Sequence, residues 1–171
     1  MKAIKTVGLI INSYKEQIIQ IGKQLIVLLE QQNVRVLAIG QEAEVLQIPA
    51  CTEEAFQQEV QLVLVIGGDG TMLRAARTVY GKEIPILGIN QGYLGFLTEI
   101  EVEQLSESLQ QLLAGEYEIE RRMMLTAKVY REQQCIADVS ALNDLVVTKG
   151  ALSRIIKVDP YGGTAGGTVS W

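Results

Sequence analysis

An α/β fold, a doubly wound parallel sheet followed by the start of an antiparallel all-β domain, is what the sequence predicts, and three observations predict it. Short apolar runs alternate with helical stripes from Thr6 to Leu113. The runs are continuous rather than alternating in polarity, as in strands buried on both faces. Beyond Gly115 extended runs follow one another with no helical stripe between them, the mark of a change in architecture.

Thr6 to Ile11 is a short apolar run ending at Asn12-Ser13, either of which can cap the helix that follows. From Lys15 to Gln31 the apolar residues Ile18, Ile21, Leu25, Leu28 and Leu29 recur at steps of three and four, which predicts one buried helical stripe. Val34 to Ile39 is a second strand closed by Gly40, and Gln41 to Ala50 stays ambiguous, with Pro49 breaking whatever precedes it. Thr52-Glu53-Glu54 predicts a helix start, a hydroxyl cap followed by acids that suit the helix dipole. Leu62 to Ile66 is the most strand-like run in the chain and leads directly into glycines, after which Met72, Leu73, Ala75, Ala76 and Val79 predict a helix from Thr71. Ile84 to Ile89 is a further strand, Asn90 to Thr98 a glycine-spaced loop, and Glu101 to Leu113 a helix ending near Gly115. Tyr117 to Arg131, Ala137 to Thr148 and Arg154 to Val158 are the extended runs beyond it, so Gly115-Glu116 is the expected boundary.

Composition narrows the function. With 171 residues, 48% hydrophobic and 20% charged, the chain is long enough for a real core. A net charge of −5 leaves no basic footprint for nucleic acid, and no apolar run approaches the roughly 18 residues of a membrane span. Cys51 and Cys135 form no CxxC pair and are expected to be buried thiols in a reducing cytosol. The chain has no histidine, so proton abstraction would fall to a carboxylate, Lys, Tyr or Cys.

The constellation that carries chemistry is Gly67-Gly68-Asp69-Gly70-Thr71. Glycines after a buried strand let the backbone turn sharply and present N–H groups to phosphate oxygens, while the next helix aims its positive end at the same point. Asp69 does not suit a simple phosphate cradle, because its carboxylate repels the anion. Its place makes sense if it faces a hydroxyl that loses a proton while attacking the terminal phosphate of a nucleoside triphosphate. The plainer alternative is that Asp69 caps the next helix and the glycines are ordinary turn residues.

The run Val65 to Arg74 resembles the first motif of the NAD kinases, a family within the superfamily whose diacylglycerol, sphingosine and 6-phosphofructokinase members share a GGDG-type turn. Ile84 to Glu99 resembles the next block, which separates NAD kinases from the lipid kinases, and Tyr117 to Leu125 and Ala141-Leu142-Asn143-Asp144 complete the set in order. The resemblance covers Lys5 to Val158 and implies transfer of the terminal phosphate of ATP, or of polyphosphate, to the 2′-hydroxyl of the adenosine ribose of NAD. It gives Asp69 the role of taking the proton. It sets Gly70 and Arg74 beside the phosphates, joining Gly67, Gly68 and Thr71 of the glycine turn as the expected nucleotide-binding residues, and Arg74 has the charge and fork geometry for a pyrophosphate, though a solvated charge on the first helical turn is an equal alternative. Asn143 and Asp144 match a pair that hydrogen-bonds the dinucleotide ribose. They interrupt the apolar run Val139 to Val147, where unpaired polar groups would be costly. Arg154 matches a position that is basic or His in relatives and contacts the cofactor, with an exposed strand arginine as the plainer alternative. Mg²⁺ is expected to ride on the donor phosphates, since no carboxylate cluster suggests a protein cage for a metal. Family members imply a homo-oligomer binding small nucleotides in the cytoplasm.

The domains expected are thus 1–115, α/β and nucleotide-binding; 116–158, the beginning of a β-rich NAD-binding domain; and 159–171, a divergent glycine-rich tail. The likeness breaks at Asp159-Pro160, where relatives continue into a Thr-Pro-Thr-Gly-Ser-Thr-Ala-Tyr segment. A truncated or altered β-domain, unpaired strand edges and weak or no kinase activity by the chain alone are therefore expected. The alternatives are another kinase of the superfamily, acting on a lipid or sugar, and a non-catalytic dinucleotide-binding remnant.

Overall fold

A computed structural model describes residues 3–91, 97–142 and 144–146. Contacts divide the chain into two compact units, Met1–Arg121 and Arg122–Trp171. In the first, six strands form one sheet: β1 (Thr6–Ile11), β2 (Arg35–Ile39), β3 (Ala50–Cys51), β4 (Leu62–Ile66), β5 (Ile86–Asn90) and β6 (Ile100–Glu101), in the order β3-β2-β1-β4-β5-β6. Every pairing is parallel. Five helices accompany them: α1 (Glu16–Gln31), α2 (Gly40–Leu46), α3 (Glu53–Glu59), α4 (Asp69–Thr78) and α5 (Leu105–Ala114). This is the doubly wound α/β arrangement that the apolar runs predict.

Strand periodicity sorts the core into two layers. Val7, Leu9 and Ile11 of β1 and Leu62, Leu64 and Ile66 of β4 share one cluster with Ile18, Leu25 and Leu29 of α1, Ala43 and Leu46 of α2, and Leu105, Leu109 and Leu112 of α5. The alternate residues Ile10, Val63 and Val65 are equally buried and point to the other face. There α3 sends Phe56 against Gly8, so closely that a Cβ at Gly8 would lie 2.2 Å from the ring. Met72 of α4 likewise lies against Gly88, 2.9 Å from where its Cβ would be.

Several local expectations change. Asn12-Ser13 does not cap α1; Lys15 stands at the cap with no side-chain bond, and the Asn12 Oδ1 accepts instead from the N–H of Tyr14 at 3.2 Å, tying the loop to itself. Gly40 opens α2 rather than closing β2, with φ +54, and the ambiguous stretch becomes that helix and the two-residue β3. Thr52 is a cap as expected, accepting from Ala55 N at 3.2 Å. Helix α4 begins at Asp69, two residues before Thr71. The final helix starts as a 3-10 turn, Val102–Gln104, closed by a capping box between Glu101 and Gln104, and α5 stops at Gly115 in the left-handed region (φ 82).

In the second unit β7 (Leu125–Arg131) and β8 (Gln134–Ala141) pair antiparallel, so only part of each long extended run is strand. Among the described residues the two pair only with each other. Cys51 is partly buried, its thiol donating to Ala38 O at 3.3 Å, and burial pushes its pKa up. Cys135 is exposed on β8, contrary to expectation, because that side of the hairpin has nothing described against it.

Candidate functional site

The strand order puts a switch between β1 and β4: the chain winds outward through β2 and β3, returns to pair β4 with β1, then winds the other way. In such sheets the crevice outside the carboxyl ends of the switching strands is where ligands bind. The Gly67–Gly70 turn sits there, fastened on both sides: Asn12 N donates to Ile66 O at 3.0 Å and Gly67 N to Ile89 O at 3.0 Å.

Each residue of the turn has a different reason to be what it is. Gly67 is buried, and a Cβ on it would lie 2.4 Å from Thr71 Oγ1, so the close approach of α4 to the strand end requires glycine. Gly68 and Gly70 are exposed and a Cβ on either would meet nothing within 4 Å. None of the three has positive φ. The turn is sharp, with β4 giving way to α4 within two residues, but it needs no left-handed residue; the glycines provide close packing at Gly67 and open room beside the backbone at Gly68 and Gly70.

That room belongs to a cleft of about 510 Å³ lined by residues 11–15, Gln41, Glu42, Gly68, Gly70, Thr71 and Arg74. Its size is that of a small-molecule site. The first turn of α4 opens onto it with its positive dipole end, and Lys15 and Arg74 add positive charge. Arg74 is not a simple solvated charge. Its Nη2 donates to Ile11 O at 2.7 Å, its Nη1 pairs with Glu42, and burial holds its pKa below the usual value, with Tyr14 partly offsetting that.

Asp69 is half-buried at the first position of α4. Its Oδ1 accepts from Leu97 N at 3.1 Å, in the segment that runs beside β5, where Glu99 N donates to Gly88 O. The helix dipole stabilises that negative charge, so the helix-end reading and the reactive-carboxylate reading describe one geometry. The structure thus brings together Gly67, Gly68, Asp69, Gly70, Thr71 and Arg74. Asp144 is exposed and lies past the end of β8. It interrupts no strand and its carboxylate keeps its hydration, because β8 has already ended at Ala141. Asn143 and Arg154 fall outside the described residues.

Sequence reasoning missed Asn12, Tyr14, Lys15 and Glu42 as cleft residues. A signal was available: they are the first residues after β1 and β2, and strand carboxyl ends carry the sites of such sheets.

Comparison with known proteins agrees with this arrangement. Residues 7–117 match the model of the ATP-NAD kinase N-terminal domain. The NAD kinase of Moorella thermoacetica is 44% identical over 166 residues, covering 95% of this chain and 52% of that protein. That of Natranaerobius thermophilus is 38% identical over 158 residues, 91% of this chain and 55% of that protein. The chain spans about half the length of these curated relatives. The crystal structure of yeast NADH kinase complexed with NADH superimposes with a TM-score of 0.76 over 84% of this chain and 48% of that one; at 16% identity the likeness is one of fold. With the family's N-terminal domain matched from β1 to Tyr117, and the glycine turn standing at the sheet's switch point, the chain belongs to the NAD kinase family.

Proposed function

We propose that this chain carries the phosphoryl-transfer machinery of an NAD kinase, moving the terminal phosphate of ATP or polyphosphate to the 2′-hydroxyl of the adenosine ribose of NAD to give NADP. The observation that carries the reading is the two-sided turn: phosphate-sized room and positive charge on the side of β1, a half-buried carboxylate on the side of β5. Donor phosphates occupy the cleft against the N–H groups of Gly68, Gly70 and Thr71, with Arg74 and Lys15 matching their charge. Asp69 accepts the proton of the attacking hydroxyl, which lets the oxygen attack as it loses its hydrogen. The whole chain is acidic, at −5, so attraction of the anionic donor is local to the cleft.

In the second unit, Asn143 and Asp144 hydrogen-bond the ribose of the dinucleotide and Arg154 contacts it; this assignment, and the division into residues 1–115, 116–158 and 159–171, rests on the family motifs. Mg²⁺ would screen the transferring phosphate. Among the described residues no three His, Cys, Asp or Glu side chains converge as a metal cage; the turn offers the single carboxylate of Asp69, a donor set that fits an ion carried by the nucleotide. A cytoplasmic location completes the reading; the homo-oligomer of full-length family members is not expected of this chain, whose β-domain, the part through which relatives assemble, departs from theirs. No helix among the described residues is long and apolar enough to cross a membrane.

The test is NADP formation from NAD with ATP or polyphosphate, by the wild-type chain and by Asp69→Asn. The wild-type chain, with its altered β-domain, is expected to turn over slowly, and whatever rate it shows should fall by about 10²–10⁴-fold in the variant, the usual contribution of a positioned base, with NAD affinity nearly unchanged. An Asp69→Asn protein as active as wild type removes the carboxylate from the chemistry. Wild type that binds NAD without making product is a binding module, and phosphorylation of a lipid or sugar in preference to NAD moves the chain to another branch of the superfamily.

A further inference from the structure

Glu42 belongs to the first turn of α2, and its carboxylate is almost wholly enclosed, with 11% of the side chain exposed. An enclosed carboxylate beside an anion-binding cleft is a liability unless it does something there, since it both loses hydration and repels the ligand. What it touches is Arg74, whose guanidinium it shares with the carbonyl of Ile11. The end of β1, the start of α2 and the first turns of α4 are thereby joined through one side chain. A free arginine on a helix surface samples many rotamers, and holding it in one costs conformational entropy. Two fixed acceptors on the inner edge remove that freedom before any ligand arrives, and a guanidinium with five N–H groups still has donors for its half-exposed outer edge.

We propose that Glu42 is a positioning residue for the donor phosphates: it holds the Arg74 fork against Ile11 O so that the fork's outer edge is presented to the cleft. The proposal rests on the donor half of the function above but needs neither NAD nor turnover. Simple electrostatics predicts the opposite sign, because removing a negative charge from the cleft should tighten anion binding. Positioning predicts that it loosens.

The experiment is calorimetric titration of the full chain with inorganic tripolyphosphate, for wild type, Glu42→Ala, Glu42→Gln, Arg74→Ala and both Glu42 variants in the Arg74→Ala background. Glu42→Ala is expected to weaken binding about tenfold and Glu42→Gln, which keeps an oxygen acceptor, about threefold, magnitudes within the usual coupling of contacting residues. With Arg74 removed, neither Glu42 change should weaken binding further. If Glu42→Ala does not fold, Glu42→Gln alone runs the same cycle. Tighter binding by either Glu42 variant, equal loss with and without Arg74, or no saturable binding by wild type overturns the proposal. A wild type that binds tripolyphosphate with the expected cycle but forms no NADP leaves this inference standing while the proposed function falls.

Discussion

Two glycines separated by two residues face different physics. Gly67→Ala places a methyl 2.4 Å from Thr71 Oγ1 in a buried turn, so it should destabilise the protein by about 1–3 kcal/mol, the usual cost of overpacking, and lower its Tm. Gly70→Ala meets nothing within 4 Å and lies in the first turn of α4 without positive φ, where alanine restricts the unfolded chain without straining the folded one; its Tm should hold or rise. Its methyl nevertheless projects where donor phosphates are proposed to lie, so its tripolyphosphate affinity should drop. Thermal melts and titrations on the pair check this: a Gly70→Ala protein that binds normally would show that the room beside the turn is not used. The glycine run itself was legible in the sequence, since turn chemistry is written in contiguous residues. The separate reason for each glycine was not, because it depends on what α4 brings against the backbone.

At the scale of elements, close contact between neighbours again decides where change is tolerated. Phe56 is fully buried and its ring fills the space above Gly8, 2.2 Å from a would-be Cβ. Gly8→Ala must therefore push α3 off the sheet, at about 1–3 kcal/mol, and a smaller partner, as in Phe56→Leu, should recover part of that loss in a double-mutant melt. The hairpin offers the reverse opportunity. Glu132 and Gln133, between β7 and β8, both have positive φ (49 and 66), a conformation costing roughly 1–2 kcal/mol in each non-glycine residue. Replacing them with Asn and Gly, which suit such a two-residue turn, should slow amide exchange in β7 and β8; unchanged exchange would mean the turn does not limit the hairpin. Helices α1 and α5 were legible from their apolar stripes and α3 from its Thr52 cap. Helix α2, seven residues long, was hidden because so short an element carries barely two turns of periodicity.

For the molecule as a whole, stability is distributed unevenly. Strands β1 and β4 pair with neighbours on both sides and are covered by helices, whereas β7 and β8 expose Val129, Tyr130, Ile136 and Val139. Among the described residues β7 and β8 pair only with each other, and such a two-stranded ribbon is marginal in water, so the amides of β7 and β8 should exchange far faster than those of β1 and β4; equal protection would show that the hairpin is covered in solution. By itself the sequence determined the alternation of strand and helix, the glycine turn after Leu62–Ile66 and, through its ordered motifs, the NAD kinase family. These are carried by residues close together along the chain, where periodicity and turn chemistry act locally. Only the tertiary structure decided that β1 lies beside β4, and with it that Arg74 meets Ile11, 63 residues away, and Glu42, 32 residues away. Strand order is settled by how whole apolar faces pack, and no local pattern contains that information.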